Sequence, residues 1–279
     1  MKLSEIHPFV RFVHPLRIDE NERYGISTAF DNRLFYLRAG SGVISASGER
    51  LSLSVGDALL LPSGTAYELI PCDLPASYIA VNFDYTQGHV DKDTPVPPLF
   101  SSRFDQAERF EVLRFEDAEE LSAPLLIKAA PGIGGKLLAM EVEYAKKQLG
   151  YGRILSALLI ETLVGCLRAH RAMRLERSER LIREILGYVD QNLQNPLSNT
   201  DIAAAFGLHP NYVSQLIKLH TGLPLHKYLM HLRVSRAMEL LGKEGSTVGE
   251  VALQSGFVDI YHFSKTFKSL VGVPPSRYL

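Results

Sequence analysis

A chain of 279 residues is long enough for two domains, each with its own core. Its hydrophobic fraction of 46% and charged fraction of 22% are ordinary for a globular protein, and they exclude a disordered chain, a collagen-like fibre and a coiled-coil rod. The net charge of −1 is silent about nucleic acid, but it is unevenly spread: residues 1–177 carry 20 Lys and Arg against 23 Asp and Glu, and residues 178–279 carry 10 against 8, with five of the nine histidines.

The chain opens on Met1 and Lys2 with no apolar run of signal-peptide length. Its first ~90 residues are expected to form strands, on the strength of short apolar or alternating runs between turn signals. The runs are Leu34 to Leu37, Gly42 to Ile44, Leu51 to Leu53, Ala58 to Leu61 and Tyr78 to Phe83. Gly40-Ser41-Gly42, Ser47-Gly48, Gly56-Asp57 and Pro62-Ser63-Gly64 punctuate them. Such spacing implies a small antiparallel barrel or sandwich. Asp91 to Pro98, rich in proline and charge, is expected to be a surface loop.

From Gly134 the period becomes helical. Leu137, Leu138, Met140, Val142, Tyr144 and Leu149 make one candidate helix, and Leu155, Leu158, Leu159, Thr162, Leu163, Cys166 and Leu167 a second. The longest apolar stretch, Leu155 to Leu167, is about 13 residues and is broken by Glu161, short of the ~20 a membrane span needs. Cys72 and Cys166 form neither a zinc motif nor a disulfide framework, so a cytoplasmic protein with reduced cysteines is expected. Arg168, Arg171, Arg174, Arg177, Arg180 and Arg183 recur every third residue with Glu176, Glu179 and Glu184 among them. That pattern is a solvated helix face, with phosphate contact near a hinge as the sharper alternative. The domain boundary is expected near residues 172–180.

The last third repeats itself. Ser198-x-x-Asp201-Ile202-Ala203 followed by Gly207-Leu208 returns 49 positions later as Thr247-x-x-Glu250-Val251-Ala252 followed by Gly256-Phe257. Beyond the glycine the offset is 50: Val213, Ser214, Ile217 and Lys218 map to Phe263, Ser264, Phe267 and Lys268, and Gly222, Pro224 and Tyr228 to Gly272, Pro274 and Tyr278. Ser198 and Thr247 are N-caps, completed by Asp201 and Glu250 as capping boxes. The small alanines allow close approach, and the glycines end each first helix. Each unit is a helix, a glycine turn and a second helix beginning near Pro210 or Asp259. Between the units, Leu225, Tyr228, Leu229, Leu232, Ala237, Leu240 and Leu241 make one amphipathic helix, a rigid spacer that could set the two second helices in successive major grooves ~34 Å apart.

Residues ~182–279 resemble the DNA-binding domain of the AraC/XylS family of bacterial transcription regulators, through Gly256-Phe257-Val258-Asp259-Ile260-Tyr261-His262-Phe263-Ser264-Lys265-Thr266-Phe267-Lys268 and Gly272-Val273-Pro274-Pro275. The resemblance implies two helix-turn-helix units joined by a long helix, binding promoter DNA and contacting RNA polymerase. Residues 33–68 resemble the cupin-type sensor domain that precedes that module, through Gly40-x-Gly42, Gly56-Asp57 and Pro62-x-Gly64. The expected fold is therefore α+β in two domains. Residues 1–175 form a cupin-like antiparallel β-barrel with packed helices, for sensing and dimerisation, and residues 176–279 an all-α double helix-turn-helix domain.

Candidate contacts follow. In the first recognition helix Val213, Leu216 and Ile217 point inward, leaving Asn211, Ser214 and Gln215 to read base edges and Lys218 to meet phosphate. In the second, Ile260, Tyr261, Ser264 and Lys265 occupy the family's outward positions, with Lys268 beside them. Arg233, on the connecting helix, is assigned to phosphate or an acidic neighbour. Metal-ligand positions carried over from cupins fall near Ser27, Ala29, Arg33 and Tyr67; none is His or a carboxylate, which disfavours a metal enzyme. Ser27, Arg33 and Tyr67 are instead candidates for a small polar ligand, a sugar by the family's habits; the plainer alternative makes Tyr67 a buried aromatic and Arg33 a rim charge. Gly132-Ile133-Gly134-Gly135-Lys136 is not a phosphate loop, because Leu137 follows the lysine and Ala130 replaces the first glycine. No catalytic residue and no cofactor is assigned. The expectation is a homodimeric, ligand-responsive transcription activator; the rivals are a constitutive DNA-binding protein whose barrel only dimerises, and a metal-free cupin enzyme.

Overall fold

The computed structural model describes residues 1–18, 25–111, 113–130, 132–195, 197–242 and 247–278. The chain divides into two compact units, Met1–Arg174 and Leu175–Leu279.

The first unit is built on antiparallel strands: β1 Phe9–Ile18, β2 Ser27–Thr28, β3 Asn32–Ala46, β4 Glu49–Leu53, β5 Ala58–Leu61, β6 Ala66–Asp84, β7 Leu99–Phe100 and β8 Leu125–Ile127. They form one curled sheet, a half-barrel, in the order β7-β2-β6-β3-β5-β8, with β1 also on β6 and β4 also on β3. The long strand β6 is its spine, pairing with β1, β2 and β3.

Strand alternation divides the side chains between two cores. On β3, Leu34 and Tyr36 face one core while Phe35 and Leu37 face the other; on β6, Ile79, Val81 and Phe83 face the first and Tyr78 and Ala80 the second. The first core is closed by α1 Ile133–Lys146 and the start of α2 Tyr151–Gln191, through Leu137, Met140, Leu155, Leu159, Leu163 and Cys166. Gly134, in the first turn of α1, lets the helix lie close to the sheet: a Cβ there would collide with the hydroxyl end of the Tyr36 ring. The second core fills the concave side of the half-barrel.

Three expectations are corrected. The runs Leu34–Leu37 and Gly42–Ile44 belong to one strand, β3, because the pairing with β6 slips between Leu37 and Gly42, so Gly40-Ser41-Gly42 is a bulge and not a turn. Leu149 lies outside α1, which stops at Lys146 with Lys147 in the left-handed region, and it is fully exposed. The helices expected over residues 134–173 run past that bound: α2 continues unbroken to Gln191, contributing Leu163 and Leu167 to the first unit's core and Ile182, Ile185 and Val189 to the second's. The arginines of the three-residue pattern lie exposed along it; Arg171 pairs with Glu120 at 2.8 Å and Arg180 approaches Glu184 at 3.9 Å.

The second unit continues with α3 Asn199–Phe206, α4 Pro210–Thr221, α5 Leu225–Leu241, α6 Val248–Gln254 and α7 Ile260–Val271. One apolar cluster joins Val213 and Ile217 of α4, Leu229, Val234 and Ala237 of α5, Val251 and Ala252 of α6, and Phe263 and Phe267 of α7. No helix among the described residues is long and apolar enough to cross a membrane.

Candidate nucleic-acid interface and barrel cavity

The repeat is realised twice with the same local chemistry. Asp201 N–H donates to Ser198 Oγ at 3.2 Å while Ser198 N–H donates to Asp201 Oδ2 at 2.8 Å; Glu250 N–H donates to Thr247 Oγ1 at 3.3 Å while Thr247 N–H donates to Glu250 Oε2 at 3.2 Å. Both second helices, α4 and α7, have twelve residues and end on a glycine in the left-handed region, Gly222 or Gly272. The second turn is longer by two residues, one inserted after its glycine and one released by the earlier end of α6. Gly207 is itself the C-cap of α3, whereas α6 closes on the buried Ser255 and Gly256 follows it. Gly256 has φ +89°, and a Cβ there would press into the carbonyl oxygen of Leu193 and the guanidinium of Arg233.

The outward residues of both second helices are free of the core. On α4, Asn211, Gln215 and Lys218 are exposed and Ser214 half-buried, while Val213, Leu216 and Ile217 are buried. On α7, Ile260, Tyr261, Lys265 and Lys268 are exposed and Ser264 half-buried over the buried Phe263 and Phe267. Tyr261 is 79% exposed, high for an aromatic with no partner to cover it. Arg233 is placed differently from these. Its Nε and Nη2 donate to the carbonyl oxygens of Leu193 and Asn195, each at 2.9 Å, so the side chain pins the exit of α2 to α5. Any phosphate contact would fall to its Nη1.

In the first unit Ser27, Arg33 and Tyr67, chosen from sequence, lie on the wall of one cavity of about 300 Å³. Strand register explains the convergence. Asn82 of β6 stands between Phe12 of β1 and Arg33 of β3; one row along, Ala80 stands between His14 and Phe35; Ser27 of β2 opposes Tyr67 of β6. Leu16, Gly25, Leu69 and Pro95 to Pro98 complete the lining.

Arg33 is no rim charge. It is 5% exposed, its Nε donates to Asp31 Oδ1 at 2.7 Å and its Nη2 to the Val96 carbonyl oxygen at 2.8 Å. Asp31 also accepts from Arg11 Nη1 at 2.9 Å, and Arg11 reaches Asp84 Oδ2 at 2.5 Å and the Lys92 carbonyl oxygen at 2.6 Å. Two guanidinium groups and two carboxylates therefore balance beside the cavity, and they hold the Asp91–Pro98 loop by the backbone carbonyls of Lys92 and Val96. Burial pushes the Tyr67 phenol up, so its hydroxyl keeps its proton. Burial, with Arg33 adding to it, lowers His14 to about 4, so the imidazole is neutral at pH 7. His14 Nδ1 and Asn82 Oδ1 are buried with no hydrogen-bond partner among the described residues.

Phe12, His14, Leu16, Gly25, Phe35, Leu69, Asn82 and the proline loop are the cavity residues that sequence reasoning missed. The alternation Phe12-x-His14-x-Leu16 placed three of their side chains on one face, but nothing in the sequence pairs that strand with Asn82. Among the described residues no group of three His, Cys, Asp or Glu is placed to hold a metal ion.

Residues 202–279 match the family model described as a helix-turn-helix domain. Over 236 residues, 83% of this chain and 76% of the relative, the sequence is 25% identical to YijO, an uncharacterized HTH-type transcriptional regulator of Escherichia coli (strain K12). Over 98 residues, 35% of this chain and 73% of the relative, it is 33% identical to AarP, an HTH-type transcriptional activator of Providencia stuartii. A crystal structure of a transcriptional regulator from Chromobacterium violaceum, titled as having an AraC-type DNA-binding domain, covers 37% of this chain and 92% of its own at 28% identity, with a TM-score of 0.35.

Proposed function

The chain belongs to the AraC/XylS family of DNA-binding transcription regulators, and on that footing we propose that α4 and α7 enter successive major grooves of promoter DNA. Asn211, Ser214 and Gln215 read bases from α4, with Lys218 on the phosphates; Tyr261, Ser264 and Lys265 read from α7, where Ile260 meets a thymine methyl and Lys268 the backbone. The observation that carries this is the duplication itself: two helix pairs that open on the same kind of capping box and close on a glycine, each presenting a twelve-residue second helix with its apolar side buried and its polar side free.

Residues 1–175 act as the sensing and pairing domain and residues 176–279 as the reader, a division supported by the separation of the chain into units at Arg174 and Leu175. A small molecule bound in the cavity beside Ser27, Arg33 and Tyr67 changes how the reader is presented, by a coupling of about 1–3 kcal/mol. Two copies pair through α1 and the start of α2, where Leu138, Val142 and Ile154 are exposed apolar side chains without cover in a single chain. Activation through RNA polymerase is the sense of regulation favoured by the likeness to AarP. A sugar is the ligand class that the family resemblance implies.

The test is selection of binding sites from random duplex DNA by the intact protein, repeated with Gln215→Ala and Lys265→Ala. Each change is expected to relax preference at its own base position, at about 1–3 kcal/mol of discrimination. If neither variant alters the selected sequence, the recognition faces are wrongly assigned.

A further inference from the structure

We infer that the barrel cavity takes a compact, neutral molecule with a largely apolar body and at least one O–H or N–H donor, in preference to a sugar or a carboxylate. The inference rests on the ligand-sensing reading above and narrows it. Space comes first: about 300 Å³ lies at the small end of ligand pockets, room for one compact molecule. The walls come next. Phe12, Leu16, Phe35, Leu69, Pro95 and Pro98 present apolar surface on several sides. A sugar carries hydroxyls around its whole ring, and against such walls most of them would lose water without gaining a partner.

The polar groups are few, and beside the protonated Tyr67 hydroxyl they include acceptors that want a donor. Asn82 is 2% exposed, and its Oδ1, an acceptor, has no partner among the described residues. Ser27 gives its own hydroxyl proton to the Gly25 carbonyl oxygen at 3.0 Å, which leaves its oxygen able to accept. His14, neutral, adds an unpartnered Nδ1 a short way along β1. A buried acceptor with no donor is costly, and a ligand O–H or N–H placed against Asn82 removes that cost. Charge then decides against an anion. The Arg33 guanidinium is already matched by Asp31, and Arg11 by Asp31 and Asp84, so a bound carboxylate would add a third negative group with no unmatched cation among the described lining residues to meet it.

Three matched probes separate these cases on the intact protein: 2-naphthol, 2-methoxynaphthalene and 2-naphthoate. The chain contains no tryptophan, so naphthalene fluorescence can be titrated over a tyrosine background alone. D-Glucose is tested in parallel by thermal shift. The expected result is that 2-naphthol binds at least tenfold more tightly than either the ether or the carboxylate and that glucose gives no shift. In Asn82→Leu the naphthol should fall to the affinity of the ether, while the ether itself is unchanged. Should Asn82→Leu not fold, Ser27→Ala is the second variant, and the ranking of probes on the unaltered chain already decides the matter. Tighter binding of the naphthoate, a shift with glucose alone, or equal binding of naphthol and ether each overturns the inference and leaves a ligand-sensing barrel standing. If none of the four probes binds at millimolar concentration, the cavity is not a ligand site of this kind and the sensing reading falls with it.

Discussion

His14 meets two conditions that rarely coincide: its ring stacks on Phe12 with centroids 4.4 Å apart, yet its Nδ1 is buried without a partner. Burial, reinforced by Arg33, lowers its pKa to about 4. An imidazole depressed in the folded state is protonated first in the unfolded chain, so as pH falls from 6.5 towards 4 the unfolded chain gains protons and stability is lost. Asp84 works in the opposite sense: burial raises it to about 6 despite its bond to Arg11, so its contribution declines as pH rises from 4 to 6. Comparing the protein with His14→Phe, which keeps the stacked ring, cancels the Asp84 effect. The urea midpoint of the unaltered protein is expected to drop more between pH 7.5 and pH 5 than that of the variant; equal drops would mean that His14 titrates normally. Arg11 is the other residue on which the charge cluster beside the cavity depends. It is fully buried, and Arg11→Met strands Asp84 without a cation, so a loss of about 3–5 kcal/mol is expected in urea unfolding at pH 7.

At the scale of elements, the two glycine turns look interchangeable in sequence and differ in space. A Cβ on Gly207 would meet nothing within 4 Å, so Gly207→Ala carries only the cost of a left-handed alanine, about 1–2 kcal/mol. A Cβ on Gly256 would also drive into the Leu193 carbonyl that Arg233 holds, so Gly256→Ala is expected to cost more than Gly207→Ala and to expose the α2 exit to hydrogen exchange. Equal costs in chemical unfolding would show that the Leu193–Arg233 contact yields freely. The capping boxes and turns were legible because they are local: an oxygen at Ser198 or Thr247 and a carboxylate three residues on suffice to mark them. The β3 bulge was not, since Gly40-Ser41-Gly42 has the composition of a turn, and only pairing with β6 keeps the strand running. The continuous α2 was missed for the reverse reason. A domain boundary was expected to bring a helix end with it, but no glycine or proline lies between Cys166 and Leu186 to stop the helix. The cavity was half legible: Ser27, Arg33 and Tyr67 came from resemblance, whereas His14 and Asn82 become neighbours only through a register linking strands some 70 residues apart.

For the whole molecule, what matters is that α5 makes one body of the two helix-turn-helix pairs. Leu229, Val234 and Ala237 on it lie in the same apolar cluster as Val213 and Ile217 of α4 and Phe263 and Phe267 of α7. Moving one second helix relative to the other would require opening that shared core, since close-packed interiors do not deform continuously. Two independent heads on a flexible tether would tolerate a change in the distance between their sites; heads fixed in one core should not. Five base pairs inserted between the segments contacted by α4 and α7 turn one of them to the opposite side of the duplex, because a helical turn is about 10–10.5 base pairs. The insertion is therefore expected to lower affinity at least tenfold in a gel-shift titration and to leave only one half protected from cleavage. With a net charge of only +2 over residues 178–279, phosphate contacts are expected to be few. Affinity for the intact site should then fall with salt less steeply than for a strongly basic binder, and the inserted site should show a shallower slope still, having lost the phosphates under one head. Undiminished affinity on the inserted site would mean that one helix pair does the reading and the other serves the fold.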